Sequence, residues 1–204
     1  MIFTGLEVGP LGTNCYIIGC AETGFGAVID PGDEDARILE QLQHLKLKCQ
    51  YIILTHGHVD HIGAVGEVHA ATGAAVCIHQ ADAERLVNPA RYSLLPVDSV
   101  KPKTADRLLK DGDKIQVGKT TLEVIHTPGH TPGGVCLKTE DILFTGDTLF
   151  AGSVGRSDLP GGSHNQLINS IKTKLLAFPD ATKVYPGHGP ASTIGAEKKF
   201  NPFL

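Results

Sequence analysis

Thr55-His56-Gly57-His58-Val59-Asp60-His61 places three imidazoles and a carboxylate within seven residues. It directly follows Tyr51-Ile52-Ile53-Leu54, an apolar run that reads as a buried strand. In an extended segment successive side chains alternate faces, so His56, His58 and Asp60 point to one side and His61 follows where a helix begins. One short loop therefore offers ligands to two adjacent metals.

Three further segments repeat this form, an apolar strand running into a glycine-rich turn with a potential ligand on it. They are Val124-Ile125-His126-Thr127-Pro128-Gly129-His130, Leu143-Phe144-Thr145-Gly146-Asp147 and Val184-Tyr185-Pro186-Gly187-His188-Gly189. Strand ends are where α/β folds assemble sites, because the sheet holds the loops while glycines let the backbone turn sharply. An HxH pair alone is a weak signal. Histidine and aspartate at four such strand ends are not what unrelated packing needs would produce. His44, His69, His79, His126 and His164 lack this spacing and are read as packing or surface residues.

Outward from these segments, residues 2–8, 14–18 and 25–29 read as three short strands with tight turns, the last ending in Asp30-Pro31-Gly32. A helix opens at Asp33-Glu34-Asp35, with Ile38, Leu39, Leu42 and Leu45 on one face. Residues 61–71 read as a helix, 75–78 as a strand and 81–86 as a short helix. Residues 88–105, with Pro89, Pro96 and Pro102, read as an irregular surface excursion of the kind that covers active sites. Strands follow at 114–117, 122–126, 134–138 and 142–144, then a helix at 166–176 and a strand at 183–185.

The 204 residues, 41% hydrophobic and 20% charged, suit one globular domain spanning residues 1–204. A net charge of -4 without any Lys/Arg block argues against nucleic acid as a partner. No segment approaches a membrane span, and residues 1–7 lack the features of a secretory signal. Cys15, Cys20, Cys49, Cys77 and Cys136 are odd in number and never spaced as CxxC, as expected of reduced, buried thiols in a cytoplasmic protein.

Through THGHVDH, TPGHTPG, TGDTLF and PGHG, in order, the chain resembles the metallo-β-lactamase-fold hydrolases, and within them the glyoxalase II-like branch. The resemblance covers nearly the whole chain. It implies an α/β fold, an αββα sandwich of two facing mixed sheets with helices outside, and a dinuclear metal site at one edge. It places His56, His58 and His130 on one metal, Asp60, His61 and His188 on the other, and Asp147 between them. Seven protein groups are too many for one zinc, which takes about four. The ligands are all nitrogen and oxygen, so zinc comes first and iron or manganese is also acceptable.

The expected function is hydrolysis of thioesters of the S-lactoylglutathione type by a metal-bridging hydroxide, with Asp60 helping to orient it. An aspartate rather than a cysteine at 147 leans away from β-lactamase activity. The loop at residues 152–162 resembles one that borders the active site, and by the resemblance Arg156 contacts the glutathione part of the substrate, where an arginine can pair with a carboxylate. Arg156 and Asp158 are equally readable as a pair that orders the loop. The chain ends soon after His188, so the short bacterial type, without the helical domain that grips glutathione, is the nearer likeness. Rival readings are a mononuclear-iron persulfide dioxygenase, a lactonase and an inactive metal-binding module. The expected partner is a small molecule, with neither nucleic acid nor membrane.

Overall fold

The computed structural model describes residues 1–93, 97 and 100–204. The chain opens with a meander, β1 (Ile2–Val8), β2 (Thr13–Gly19) and β3 (Phe25–Ile29), then α1 (Asp35–His44) and β4 (Lys48–Ile53). Next come α2 (Val59–Ile62), α3 (Val65–Thr72), β5 (Ala75–His79), a 3-10 turn, α4 (Ala83–Val87), α5 (Pro89–Tyr92) and β6 (Arg107–Leu109). The second half supplies β7 (Lys114–Val117), β8 (Thr120–His126), β9 (Val135–Thr139) and β10 (Ile142–Gly146), with a small hairpin of β11 (Leu149–Phe150) and β12 (Ser153–Val154). It closes with α6 (His164–Ser170), whose last turn widens into a π-helix, then β13 (Lys183–Pro186), β14 (Ser192–Thr193) and α7 (Ile194–Phe200).

The strands form two six-stranded mixed sheets, ordered β1-β2-β3-β4-β5-β6 and β14-β13-β10-β9-β8-β7. Alternation along each strand builds the layers. Cys15, Ile17, Val28, Ile52 and Val76 point outward to Ile38 and Leu42 of α1 and Val65 and Val68 of α3. Tyr16, Ile18, Ala27, Ile29 and Ile53 point inward to Val124, Leu137 and Phe144 of the other sheet. That sheet turns Ile125, Cys136, Leu143 and Val184 toward Leu167 of α6 and Ile194 of α7. The αββα sandwich expected from the resemblance is the fold.

Pairing directions put the ligand loops on one rim. β3, β4, β5 and β6 are mutually parallel, β10 and β13 are parallel, and β8 runs the same way as β10 because each is antiparallel to β9. The carboxyl ends of β4, β8, β10 and β13 each lead into a ligand.

The expected helix over residues 61–71 is two helices. Gly63 breaks it by lying on the backbone of Gly32, where a Cβ would stand 2.1 Å from the carbonyl oxygen, and the Ala64 N–H donates to the Pro31 carbonyl at 3.0 Å. The helix also starts earlier, at Val59, so Asp60 is not in extended backbone and leaves the face shared by His56 and His58. Within the expected irregular excursion Pro89 starts a helical turn, α5, where its fixed φ and missing N–H are tolerated. Pro96 lies outside the described residues. β6, β11, β12, β14 and α7 were not expected from the sequence. All five cysteines are unpaired and buried. Among the described residues no helix is long and apolar enough to cross a membrane.

Candidate metal centre

The loop after β4 delivers its ligands to two groups. His56 Nε2 lies 3.0 Å from His58 Nδ1, and His130 Nε2, arriving from the loop after β8, lies 3.2 Å from the first and 2.9 Å from the second. Beside them Asp60, His61 and His188 form a second triad, with His61 Nε2 3.3 Å from His188 Nε2 and Asp60 Oδ2 3.2 Å from His188 Nε2. Asp147, just past β10, stands between the triads. Its Oδ1 is 3.3 Å from His61 Nε2, and its Oδ2 is 3.5 Å from His130 Nε2. All seven residues expected from the sequence as ligands are thus brought together.

The rings are oriented from behind. A carbonyl or carboxylate can only accept, so His130 Nδ1–H donates to the Arg156 carbonyl at 2.7 Å, His188 Nδ1–H to the Leu11 carbonyl at 3.1 Å, and His61 Nδ1–H to Asp30 Oδ2 at 3.0 Å. Each of these bonds leaves the Nε2 lone pair facing the site, as metal-binding histidines require. Lone pairs about 3 Å apart repel unless a cation lies among them, and such separations suit tetrahedral ligands about 2 Å from a metal. Asp147 Oδ1 is buried with no hydrogen-bond partner, a cost that a cation removes. The donor set fits a divalent metal site.

Charge divides the triads. Burial, then the rings of His61 and His130, hold His56 well below the ordinary histidine range, and burial with His130 brings His58 down to about 3. Burial likewise lowers His130. For His61 burial acts in the same sense but is outweighed by the carboxylates of Asp147 and Asp30, which lift it well above that range. His188 is raised too, its burial outweighed by the Asp60 hydrogen bond and the Asp147 charge. Asp147 falls below the usual carboxylate range, with the three facing histidines overcoming its burial.

Two acids that the sequence reading did not assign to the site support it. Asp30, at a φ of +50°, accepts from the Thr55 N–H at 2.7 Å and the Thr55 hydroxyl at 2.6 Å as well as from His61. The signal was there: Asp30 ends β3 in the strand-then-turn form of the ligand loops. Asp82, fully buried, accepts from the Gly57 N–H at 3.0 Å and the Gly133 N–H at 2.8 Å, joining the loops that carry His56 and His130. Arg85 lies 3.5 Å from Asp82 and donates to the Pro160 carbonyl at 2.7 Å, extending the tie to the loop after β12. No short motif marks Asp82.

The turn carrying His188 is clamped from the other sheet. Asn14 donates to the carbonyls of Pro186 and Gly189, and Tyr16 donates its hydroxyl to Pro186 at 2.7 Å. Gly187 is required there, because a Cβ would stand 2.3 Å from Asp147 Oδ1. Arg156 is exposed and bound by both carboxylate oxygens of Asp158, at 2.8 and 2.9 Å. The remaining histidines stay outside the triads. His79 and His126 stack at 4.0 Å, and His69 bonds the Ala74 carbonyl.

Comparison with known proteins agrees with this geometry. The Metallo-beta-lactamase superfamily profile matches residues 8–188, and the chain belongs to that superfamily. It is 38% identical over 199 residues to the hydroxyacylglutathione hydrolase GloC of Haemophilus influenzae, covering 94% of this chain and 92% of that one. It is 36% identical over 203 residues to the probable metallo-hydrolase YqgX of Bacillus subtilis, with coverages of 98% and 95%. Among solved structures, the BLEG-1 B3 metallo-beta-lactamase superposes with a TM-score of 0.92 at 38% identity, covering 100% of this chain and 99% of that one. TTHA1623 in a di-iron-bound form gives 0.86 at 38%, with coverages of 98% and 100%. ETHE1 from Myxococcus xanthus gives 0.84 at 31%, with coverages of 99% and 84%. The chain is a metal-dependent hydrolase of this superfamily.

Proposed function

We propose that the protein is a dinuclear hydrolase that cleaves thioesters of the S-lactoylglutathione (hydroxyacylglutathione) type, with zinc as its metal and a small molecule as its partner. The observation that carries this reading is the Asp147 carboxylate, which reaches both triads: Oδ1 lies 3.3 Å from His61, and Oδ2 lies 3.5 Å from His130 and 3.7 Å from His188. When bound, two divalent ions supply an activated hydroxide and polarise the substrate carbonyl.

The chain's own groups do the rest. His56, His58 and His130 are neutral at physiological pH and hold their lone pairs ready. Asp60, only 3.2 Å from His188 Nε2, accepts a proton-bearing group at the edge of the second triad and orients the attacking oxygen. A leaving thiolate needs little acid assistance, so no Ser or Cys nucleophile is called for. Arg156 binds a substrate carboxylate by exchanging its present partner, Asp158, for it. The five unpaired cysteines support a cytoplasmic setting. The likeness to GloC favours the thioester among activated carbonyls.

The rival is a single-iron persulfide dioxygenase, and the second complete triad argues against it. Metal analysis of the purified protein, followed by assay of thioesters, a lactone, a β-lactam and glutathione persulfide on one sample, tests the reading. Two metals per chain with anaerobic thioester cleavage are expected. One iron per chain with oxygen consumption on the persulfide would overturn it.

A further inference from the structure

Separate parts of the chain meet on the buried side chain of Arg85, in α4. Its stem packs on the loop after β4, where a Cβ at Gly57 would stand 2.6 Å from Arg85 Cβ. Its Nε lies 3.5 Å from Asp82, its Nη2–H donates to the Pro160 carbonyl at 2.7 Å, and its guanidinium carbon lies 4.8 Å from the centre of the Tyr92 ring in α5. We infer that Arg85 is a positioning residue for the substrate, holding residues 157–162 and α5 against the loops that carry the metal ligands; the inference rests on the thioesterase reading for the turnover that reports it.

Stability alone does not account for an arginine here. A buried guanidinium repays its desolvation only when it is closely paired and fully bonded, and an apolar side chain of similar volume often serves a core as well or better. Arg85 is neither closely paired nor fully bonded: its carboxylate partner is 3.5 Å away, and among the described residues Nη1 finds no hydrogen-bond partner. What the charged end does achieve is reach, from the ligand loops behind it to the Pro160 carbonyl in front.

The segment that it reaches is bound to the metal centre at both ends. Gly155 lies on the backbone of Asp147, where a Cβ would stand 1.8 Å from the carbonyl oxygen, and the Arg156 carbonyl accepts from His130 Nδ1–H at 2.7 Å. At the other end the Ser163 N–H donates to the Gly129 carbonyl at 2.7 Å. Neither end needs Arg85. Between them, among the described residues, the bond from Arg85 to Pro160 is the one hydrogen bond that enters residues 157–162 from outside the loop and α6. Asp82 holds the Gly57 and Gly133 backbones with its own oxygens, so the ligand loops do not depend on Arg85 either. Losing the guanidinium therefore frees the stretch beside His130 and leaves the ligands in place. An ordered wall spares a bound substrate the entropy of ordering it, so the loss falls on substrate binding.

Arg85→Met keeps the stem and removes the charged end. On the metal-loaded protein it should retain the wild-type metal content, raise KM for S-lactoylglutathione by at least about tenfold, the size of one charge-assisted hydrogen bond, and leave kcat within about threefold. Amide hydrogen exchange reads the loop without turnover. Residues 157–163 should exchange at least about tenfold faster in the variant, while the Gly57 and Gly133 amides, bonded to Asp82, keep their wild-type rates. Gly161→Ala disturbs the same contact from the exposed side of the loop, because at a φ of +87° its Cβ would stand 3.2 Å from Arg85 Nη2. It should give the same pattern, and it carries the test if Arg85→Met does not fold. Faster loop exchange in a protein whose wild type cleaves no thioester would sink the hydrolase reading and leave the role of Arg85 standing. Unchanged loop exchange, an equal loss of protection at Gly57 and Gly133, or a fall in kcat or metal content with KM unmoved would overturn it.

Discussion

The two triads around Asp147 are fed by one seven-residue loop, yet they are opposite in electrostatic character. His56, His58 and His130 form an all-nitrogen group whose burial keeps the rings neutral. Asp60, His61 and His188 form a mixed group in which carboxylates hold both rings toward the protonated state. The difference teaches that HxHxDH does two jobs because the helix begins at Val59. That turn sends Asp60 and His61 to one side and leaves His56 and His58 on the other.

Substitutions should break the comparison unevenly. Replacing Asp147 by alanine removes the one group common to both triads. Thioester hydrolysis should fall by more than about 100-fold, beyond the 10–100-fold typical of groups that only orient ligands. Steady-state kinetics with excess metal checks this.

Asp30→Asn should act more on the mixed triad, which Asp30 bonds directly, than on His56, which it reaches only through the Thr55 hydroxyl at 3.1 Å, and Asp82→Asn should act on one side. The first loosens His61 and should weaken metal binding at the mixed triad, by about 10–100-fold. The second loosens the tie between the Gly57 and Gly133 backbones and should weaken the all-nitrogen triad by a similar or smaller factor. Competition with a chromophoric chelator reads both affinities in each variant. Equal losses at both sites in either variant would mean that the triads are not separately supported.

Proton competition should sharpen the contrast. A ring held below its ordinary range stays neutral to lower pH than a free imidazole, whereas a ring held above it must shed a proton to coordinate. As pH is lowered from about 7.5 toward 5.5, across the ordinary histidine value, the mixed triad should therefore release its metal first. Metal retained after dialysis at each pH gives the order. The smallest effect is expected at Arg156→Ala, which should raise KM for a carboxylate-bearing thioester while leaving kcat nearly unchanged.

Much of this was legible in the chain. Each of the seven ligands sits at a glycine-bounded strand end, and the strands that carry them were readable from apolar runs because both faces of each sheet are covered. What escaped detection depends on tertiary contact. The break at Gly63 exists because Gly32 lies against it, and β6, β11, β12 and β14 are two or three residues long, too short for a period to register. Asp82 is buried by loops about 25 residues before it and 50 after it, and nothing in its neighbours along the chain announces that. Asp30 did share the strand-end form of the ligands.

The most direct test is metal content per chain for the wild type and for His188→Ala, measured after loading and gel filtration. Two equivalents in the wild type and one in the variant are predicted. A single equivalent in the wild type, or two retained without His188, would contradict a centre built from two triads sharing Asp147.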